Sequence, residues 1–179
     1  RAAGGRVPAP PRHPRHRVKS DDALVRKVRM VRALAEWYLE HPVRSVLDVG
    51  GGSGIYSIEM AKAWTGLSAT VMEIPQVCVA AEPYIAAAGM SGRVRTQAVN
   101  MFTQDWPRDY EAHFFSNVFH DWSDATNRLL AKKSFAALPK GGRILLHEML
   151  MDDDGCGPLP AAAFSVLMLL ATRGKQYSL

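Results

Sequence analysis

The segment Asp48-Val49-Gly50-Gly51-Gly52-Ser53-Gly54 decides the fold of this 179-residue chain. It follows the strand-like residues 44–47 and precedes a helical pattern that runs from Ile55 to about Trp64. Glycines let the backbone approach a ligand closely, and the first turn of a helix offers N–H groups without helical partners. A strand, a glycine turn and a helix in this order therefore predict a nucleotide-type binding site.

The spacing of these glycines narrows the choice of ligand. Dinucleotide-binding enzymes use G-x-G-x-x-G, but the third position falls on Ile55 when the frame starts at Gly50 and on Ser57 when it starts at Gly52. Instead, an acid, Asp48, leads glycines at the alternate positions 50, 52 and 54. A carboxylate at a strand end suits a cationic ligand better than a pyrophosphate. The alternative is an ordinary glycine-rich turn between a strand and a helix.

A second acid follows the next predicted strand. Residues 68–73 read as a short buried strand that ends at Glu73, 19 positions after Gly54. This spacing is close to that expected for a carboxylate that binds ribose hydroxyls. The alternative role of Glu73 is a solvated charge at the end of a strand.

Alternating strand and helix patterns fill the rest of the chain. They predict strands at 44–49, 68–73, 93–99, 111–118 and 142–150, and helices at 54–65, 76–88, 123–138 and 159–172, with a further helix from Ser20 to about His41. Repeated strand–helix units predict an α/β fold with a parallel, doubly wound sheet. Ligands of such sheets bind at the carboxyl ends of the strands, which we call the rim. The polar residues expected at the rim are Asp48, Glu73, Asn100, His120 and Glu148.

Charge is distributed unevenly along the chain. The net charge is +5, but residues 1–19 hold six basic residues and no acid, which leaves 16 basic and 17 acidic residues elsewhere. We therefore expect a disordered basic tail at 1–19, with a transit peptide as its alternative, and one nearly neutral domain at 20–179 that does not bind nucleic acid. No apolar run is long enough to span a membrane. Cys78 and Cys156 lack metal-type spacing and indicate free thiols in a reducing cytoplasm.

Five segments, in order, resemble the motifs of one enzyme family. They are LDVGGGSG at 47–54, MEIPQV at 72–77, NMF at 100–102, FHDWSD at 119–124 and ALPKGGRILLHE at 137–148. Together they resemble the S-adenosylmethionine-dependent O-methyltransferases of small molecules, which include the caffeic acid and acetylserotonin enzymes. The resemblance covers roughly residues 44–179 and implies a Rossmann-like class I methyltransferase sheet, with S-adenosylmethionine as methyl donor, S-adenosylhomocysteine as product and no metal. That donor carries a sulfonium cation and no pyrophosphate, in agreement with the spacing led by Asp48.

The resemblance also implies which residues bind the cofactor. At Asn100 the family usually has an aspartate that binds the adenine amino group, and an amide oxygen can accept the same bond. Met101 would lie against the adenine ring, and Ser116 stands where plant members have lysine, so that contact is altered. The implied cofactor residues are Asp48, Gly50, Gly52, Gly54, Glu73, Asn100, Met101 and Ser116.

The histidine of FHDWSD is the general base of the family, a role that the resemblance gives to His120. A phenol, with a pKa of about 10, is a poor nucleophile at neutral pH, and an imidazole with a pKa of about 6.5 can remove its proton. A lone histidine here would more simply cap a helix or face solvent. Glu148 is the family's partner for this histidine and would fix its tautomer. Asp121 would lie beside the substrate or start a helix, and alternation points His147 to the other face as a structural histidine.

Members of the family are longer than this chain. An N-terminal dimerisation domain and the last two strands lack counterparts here, so we expect a chain truncated at both ends whose residues 142–150 form an exposed apolar edge. The first hypothesis is an O-methyltransferase that acts on a phenolic hydroxyl of a small aromatic molecule. The second is a non-catalytic, cofactor-binding or interaction fragment. A third is an N- or C-methyltransferase of the same fold, in which His120 need not act as a base. Met168 would line the substrate pocket or, equally well, the core.

Overall fold

The computed structural model describes residues 42–178. The predicted tail at 1–19 and the predicted helix from Ser20 lie outside them. No helix in this part of the chain is long and apolar enough to cross a membrane, and no cluster of three or more His, Cys, Asp or Glu side chains within it could hold a metal ion. The strands are β1 (Ser45–Val49), β2 (Ser68–Glu73), β3 (Val94–Ala98), β4 (Ala112–Ser116) and β5 (Arg143–His147). The α-helices are α1 (Ile55–Ala63), α2 (Pro75–Ala87), α3 (Asp124–Ala137) and α4 (Leu159–Ala171).

The five strands form one parallel sheet in the order β3-β2-β1-β4-β5. The chain moves outward from β1 to β3 and then returns to place β4 on the other side of β1. The strand order therefore reverses between β1 and β4, which is where doubly wound sheets bind ligands. The predicted α/β, doubly wound architecture is confirmed. The last predicted strand was too long, because strand pairing ends at His147 and the next residue, Glu148, bonds Val118, beyond β4, with its side chain.

Two apolar clusters cover the two faces of the sheet. Val46, Val71 and Phe114 pack with residues of α1 and α2 on one face. Leu47 and Phe115 pack with residues of α3 on the other. Parallel strands that are buried on both faces need apolar residues at successive positions, which is why these strands read as apolar runs. The helices thus fix the strands rigidly beneath the rim.

Strand β5 is an edge of the described sheet and exposes apolar side chains. It pairs with β4 on one side, and no strand of residues 42–178 lies on the other. Ile144 is 37% exposed and Leu146 is 58% exposed. The apolar edge that the sequence predicted is present in Arg143–His147. Such an edge offers a surface for association with other chains.

We predict that Leu146→Lys lowers self-association, because a charge on an edge strand opposes pairing between sheets. The side chain is largely exposed, so the free energy of unfolding should change by less than about 0.5 kcal/mol. Light scattering at increasing protein concentration measures the first effect and urea unfolding the second. Phe135→Lys is the control, since Phe135 is 81% exposed but belongs to α3 and not to the edge strand. Equal effects of both variants would contradict a role of the edge.

Candidate active site

The glycine loop (residues 50–54) connects β1 to α1 at the rim. Gly50, Gly52 and Gly54 have φ angles of 69°, 56° and 73°, in the left-handed region that favours glycine. The N–H of Gly52 donates to Oε1 of Glu73 at 3.2 Å, and the N–H of Gly50 donates to a backbone carbonyl of β2 at 2.9 Å. Glu73, at the end of β2, therefore holds the loop in place.

The loop is packed tightly on one side and open on the other. A Cβ at Gly54 would lie 3.1 Å from a methyl group of Val71, whereas a Cβ at Gly52 would meet no atom within 4 Å. The open backbone at Gly52 and the half-buried carboxylate of Glu73 together form a cradle that a side chain would fill. This arrangement fits a ligand that carries ribose hydroxyls and approaches the backbone closely.

Asp48 lies beneath the loop instead of facing the rim. Its side chain has no exposed surface, and its Oδ2 accepts a hydrogen bond from the hydroxyl of Ser57 at 2.6 Å. A Cβ at Gly51 would come within 2.5 Å of the Asp48 carboxyl carbon. The cause is strand alternation, which points Asp48 to the α1 face of the sheet. The Asp48 carboxylate thus reaches the glycine loop from beneath, and its contact with a cationic ligand stays a prediction.

Burial raises the pKa of Asp48 to about 6, with a smaller contribution from the negative charge of Glu73, while the hydrogen bond from Ser57 opposes the rise. The Oδ1 atom of Asp48 is buried without a hydrogen-bond partner among the described residues. A buried carboxylate with one partner is poorly compensated for lost hydration. Asp48 therefore supports the shape of the loop at a cost in stability at neutral pH.

We predict that Asp48→Asn becomes more stable relative to the wild type as the pH rises. The pKa of Asp48 is higher in the folded state than in the unfolded state, so the folded protein is stabilised below about pH 4. This stabilisation is lost as the pH rises through 6. A shift of about two pH units corresponds to about 3 kcal/mol. The difference in unfolding free energy between variant and wild type should grow by that amount from pH 4 to pH 7.5.

Urea unfolding across this pH range measures the difference. Burial lowers the pKa of His113 to about 4, but His113 is present in both proteins and its contribution cancels. Asp105→Asn, at an exposed acid, is the control and should show no such trend. A constant difference between Asp48→Asn and the wild type at all pH values would contradict the prediction.

His120 lies in a short turn that follows β4. The chain passes through a left-handed residue, Asn117 (φ 55°), and then forms a 3₁₀-helix at Phe119–Asp121. We call residues 118–122 the His120 turn. His120 is buried, and its Nδ1 lies 2.7 Å from Oε2 of Glu148. The two strands that precede these residues, β4 and β5, are neighbours, and this brings the two side chains together as the sequence predicted.

Glu148 binds the backbone of the same turn with its other oxygen. Its Oε1 accepts hydrogen bonds from the N–H groups of Val118 and Phe119, both at 2.9 Å. An ionised carboxylate can only accept, so the proton in the bond to His120 is on Nδ1. This assignment of the tautomer leaves the lone pair of His120 on Nε2, where a base needs it.

Two side chains surround the free side of the imidazole. The Asp121 carboxylate is 41% exposed and lies 3.6 Å from Nε2 of His120. Phe164 of α4 packs edge-on against the ring, with 5.5 Å between ring centroids. Ser123 caps α3 by accepting from the N–H of Thr126 at 3.4 Å, so Asp121 is not needed as the helix cap. The Asp121 carboxylate therefore lies beside His120 and is partly exposed.

Asn100 uses its side-chain oxygen locally. Oδ1 accepts hydrogen bonds from the N–H groups of Phe102 at 2.9 Å and Thr103 at 3.3 Å, which closes a tight turn. Two backbone N–H groups thus share this oxygen, and its bond to an adenine amino group stays a prediction. The amide nitrogen of Asn100 remains a donor. Met101 packs partly against the apolar cluster on the α3 face.

Ser116 is bound to the structural histidine. Its hydroxyl lies 2.8 Å from Nδ1 of His147 and accepts from the side-chain amide of Asn117 at 3.2 Å. The His147 ring packs against Tyr56 and Phe114, and burial lowers its pKa. His147 is thus the satisfied histidine that the sequence predicted. Ser116 thus bonds His147 and Asn117, and its contact with a cofactor stays a prediction.

Sequence reasoning missed the residues that hold the His120 turn from behind. Asn127 of α3 donates to the Phe119 carbonyl at 2.8 Å, and the Tyr177 hydroxyl donates to the Trp122 carbonyl at 2.9 Å. Gly174 passes so close to the His120 carbonyl that a Cβ would clash with it. An asparagine within a helix carries no local signal of such a role. The glycine three residues after α4 was the one available hint. Met168, which lies on α4, is buried.

Comparisons with known proteins agree on one family. A family model described as an O-methyltransferase domain matches residues 12–178. The 3-hydroxy-5-methyl-1-naphthoate 3-O-methyltransferase of Streptomyces sahachiroi is 43% identical, over 76% of this chain and 39% of that protein. The L-tyrosine C(3)-methyltransferase of Streptomyces lavendulae is 36% identical, over 74% of this chain and 37% of that protein. The chain thus spans about two fifths of the length of these relatives.

Solved structures resemble the chain as well. The O-methyltransferase family 2 protein of Planctomyces limnophilus, in complex with apigenin, is similar with a TM-score of 0.74 and 29% identity. The similarity covers 90% of this chain and 53% of that one. Similar solved structures also include complexes with S-adenosylmethionine or S-adenosylhomocysteine.

Proposed function

Since the chain belongs to the O-methyltransferase family and has the class I methyltransferase fold, we propose that it transfers a methyl group from S-adenosylmethionine to a phenolic hydroxyl of a small aromatic molecule. The observation that carries the proposal is the bond between His120 and Glu148, one strand away from the glycine loop. The hydroxynaphthoate named for the Streptomyces sahachiroi relative supports a phenolic acceptor.

The proposed cofactor site uses the open side of the glycine loop. When bound, S-adenosylmethionine supplies a methyl group that is already activated by a positively charged sulfur. Glu73 would bind the ribose hydroxyls, because its carboxylate lies beside the open backbone of Gly52. The free amide nitrogen of Asn100 would donate to a ring nitrogen of adenine, and Met101 would contact the ring. Asp48 would act from beneath by shaping the loop.

In the proposed reaction, Nε2 of His120 takes the proton of the acceptor hydroxyl. The oxygen forms its bond to the methyl carbon as the carbon–sulfur bond breaks, and the sulfur keeps the electron pair. Positive charge is thereby lost at the sulfur and gained at the imidazole. Glu148, at 2.7 Å from Nδ1, and Asp121, at 3.6 Å from Nε2, both stabilise the imidazolium. General-base catalysis of this kind contributes about 10²- to 10⁴-fold to a rate.

The likeness to an L-tyrosine C(3)-methyltransferase favours a second candidate, methylation at an aromatic carbon. Loss of the phenolic proton also makes the neighbouring ring carbon more nucleophilic, so His120 would serve as the base there too. The product distinguishes the two reactions. An O-methyl ether lacks the phenolic hydroxyl, whereas a C-methyl phenol retains it, and NMR of the isolated product tells them apart.

We predict that Gly52→Ala weakens binding of S-adenosylhomocysteine at least about tenfold, because the new methyl group enters the open cradle. Isothermal titration calorimetry measures the dissociation constant. Gly89→Ala is the matched control, since Gly89 also has a positive φ (69°) and open space around its Cα, but lies in the turn after α2. Equal losses in both variants would show that backbone strain, rather than the cradle, is responsible.

We predict that His120→Ala lowers kcat by about 10²- to 10⁴-fold and leaves the affinity for S-adenosylhomocysteine within about twofold. Mass spectrometry of products from a panel of phenols measures turnover. Asp121→Asn is the comparison and should lower kcat less. The Asp121 carboxylate is farther from the imidazole than that of Glu148 and is more exposed to solvent. Turnover that survives in His120→Ala would exclude His120 as the base. Cofactor binding without turnover of any phenol would select the non-catalytic alternative for this chain.

A further inference from the structure

We propose that Asn127 is a positioning residue for His120, acting together with the hydroxyl of Tyr177. The two side chains hold the carbonyl groups of the His120 turn, and so direct Nε2 of the imidazole toward the acceptor. The inference rests on the proposed function, in which His120 removes the proton of that acceptor.

The contacts form a closed network behind the turn. Nδ2 of Asn127 lies 2.8 Å from the Phe119 carbonyl, 3.3 Å from the Trp122 carbonyl and 2.9 Å from the Tyr177 hydroxyl. The Tyr177 hydroxyl donates in turn to the Trp122 carbonyl at 2.9 Å. The two carbonyls lie on either side of His120 in the chain, so the network holds the turn at both ends.

The orientation of the Asn127 amide follows from these partners. Rotating the amide would place its oxygen against two carbonyl oxygens, and oxygens that can only accept repel one another. In the orientation that results, Oδ1 is buried without a partner among the described residues. An unpartnered buried acceptor lowers stability, and an alanine at this helix position would avoid it. The orientation of Asn127 is thus set by what its donors bind, the two carbonyls and the Tyr177 hydroxyl.

The turn needs support from outside because its own hydrogen bonds are long. Asp121 N–H donates to the Val118 carbonyl and Trp122 N–H to the Phe119 carbonyl, both at 3.2 Å. Short 3₁₀-helices have poor hydrogen-bond geometry and leave terminal groups to other partners. Glu148 supplies acceptors for the N–H groups on one side of the turn. Asn127 and Tyr177 supply donors for the carbonyls of Phe119 and Trp122.

The two sets of contacts come from different elements. Glu148 follows β5, Asn127 lies in α3 and Tyr177 follows α4. The His120 imidazole binds the same carboxylate that binds the turn, so a movement of the turn changes the direction of Nε2. Loss of the carbonyl contacts should therefore misplace the base without touching the glycine loop.

The test compares Asn127→Ala and Tyr177→Phe in the full 179-residue chain with two matched controls. Arg128→Ala removes an exposed neighbour of Asn127 on α3, and Tyr84→Phe removes a hydroxyl from a tyrosine that is 61% exposed. Nitrogen NMR of the His120 imidazole reports the tautomer, product formation gives kcat and KM, and calorimetry gives the affinity for S-adenosylhomocysteine.

We expect Asn127→Ala to lower kcat by about 10- to 100-fold, with KM and cofactor affinity within about twofold. Because the displaced turn moves the imidazole away from Glu148, which fixes its tautomer, the Nδ1–H form should change to a mixture of tautomers. Tyr177→Phe should act in the same direction but less, since Asn127 still binds both carbonyls. In the double variant kcat should fall by less than the product of the two single-variant factors, because Asn127 and Tyr177 share one hydrogen bond. The controls should resemble the wild type.

An unchanged tautomer and an unchanged kcat in Asn127→Ala would overturn the proposal. A fall in kcat with an equal fall in cofactor affinity would also overturn it, because that indicates a general loss of structure. If Asn127→Ala does not fold, Tyr177→Phe decides the question, since it keeps the ring and removes one hydroxyl. If the wild-type chain converts no phenol, the proposed function fails for it. The tautomer measurement needs no turnover and still decides the positioning proposal.

Discussion

The carboxylate of Glu148 is the contact on which the geometry of the site depends. It is nearly buried and accepts three hydrogen bonds, two from backbone N–H groups and one from the His120 imidazole. A buried carboxylate is tolerated when such partners replace its hydration. Because one side chain binds both the backbone of the turn and the imidazole, the position and the tautomer of His120 are set together.

Asp48 shows what happens to an acid with fewer partners. It is fully buried and receives one hydrogen bond, from Ser57, and burial raises its pKa to about 6. Asp48 and Glu148 both fall at the strand ends, yet one lies beneath the rim and the other within it. The difference comes from the path of the backbone. Asp48 is still in β1 and follows its alternation, whereas Glu148 is the first residue after β5 and reaches across to the turn that follows β4.

The sequence predicted the sheet and the meeting of His120 with Glu148, because both follow from strand order. Apolar runs locate parallel strands, and the carboxyl ends of neighbouring strands must lie side by side. Individual contacts were harder to predict. Asn100 and Ser116 stand at the expected strand ends, but local partners, a tight turn and His147, occupy their acceptors.

The position of a residue along a strand says nothing about which of its atoms are already bonded. Asn127 was missed for the opposite reason, since its partners are distant in sequence and its helix gives no sign of them.

The charges at the rim connect the cofactor site to the base. Glu73 lies beside the glycine loop, and Asp121 and Glu148 lie beside His120. In the proposed reaction one positive charge disappears at the sulfur and one appears at the imidazole. Asp121 and Glu148 stabilise the charge that appears at the imidazole, and the barrier falls because these acids are already in position. The turn that carries His120 is held in position by contacts to its backbone N–H groups and to its backbone carbonyls. The rigidity of that turn, rather than any single charge, is therefore what the proposed chemistry requires from residues 118–122.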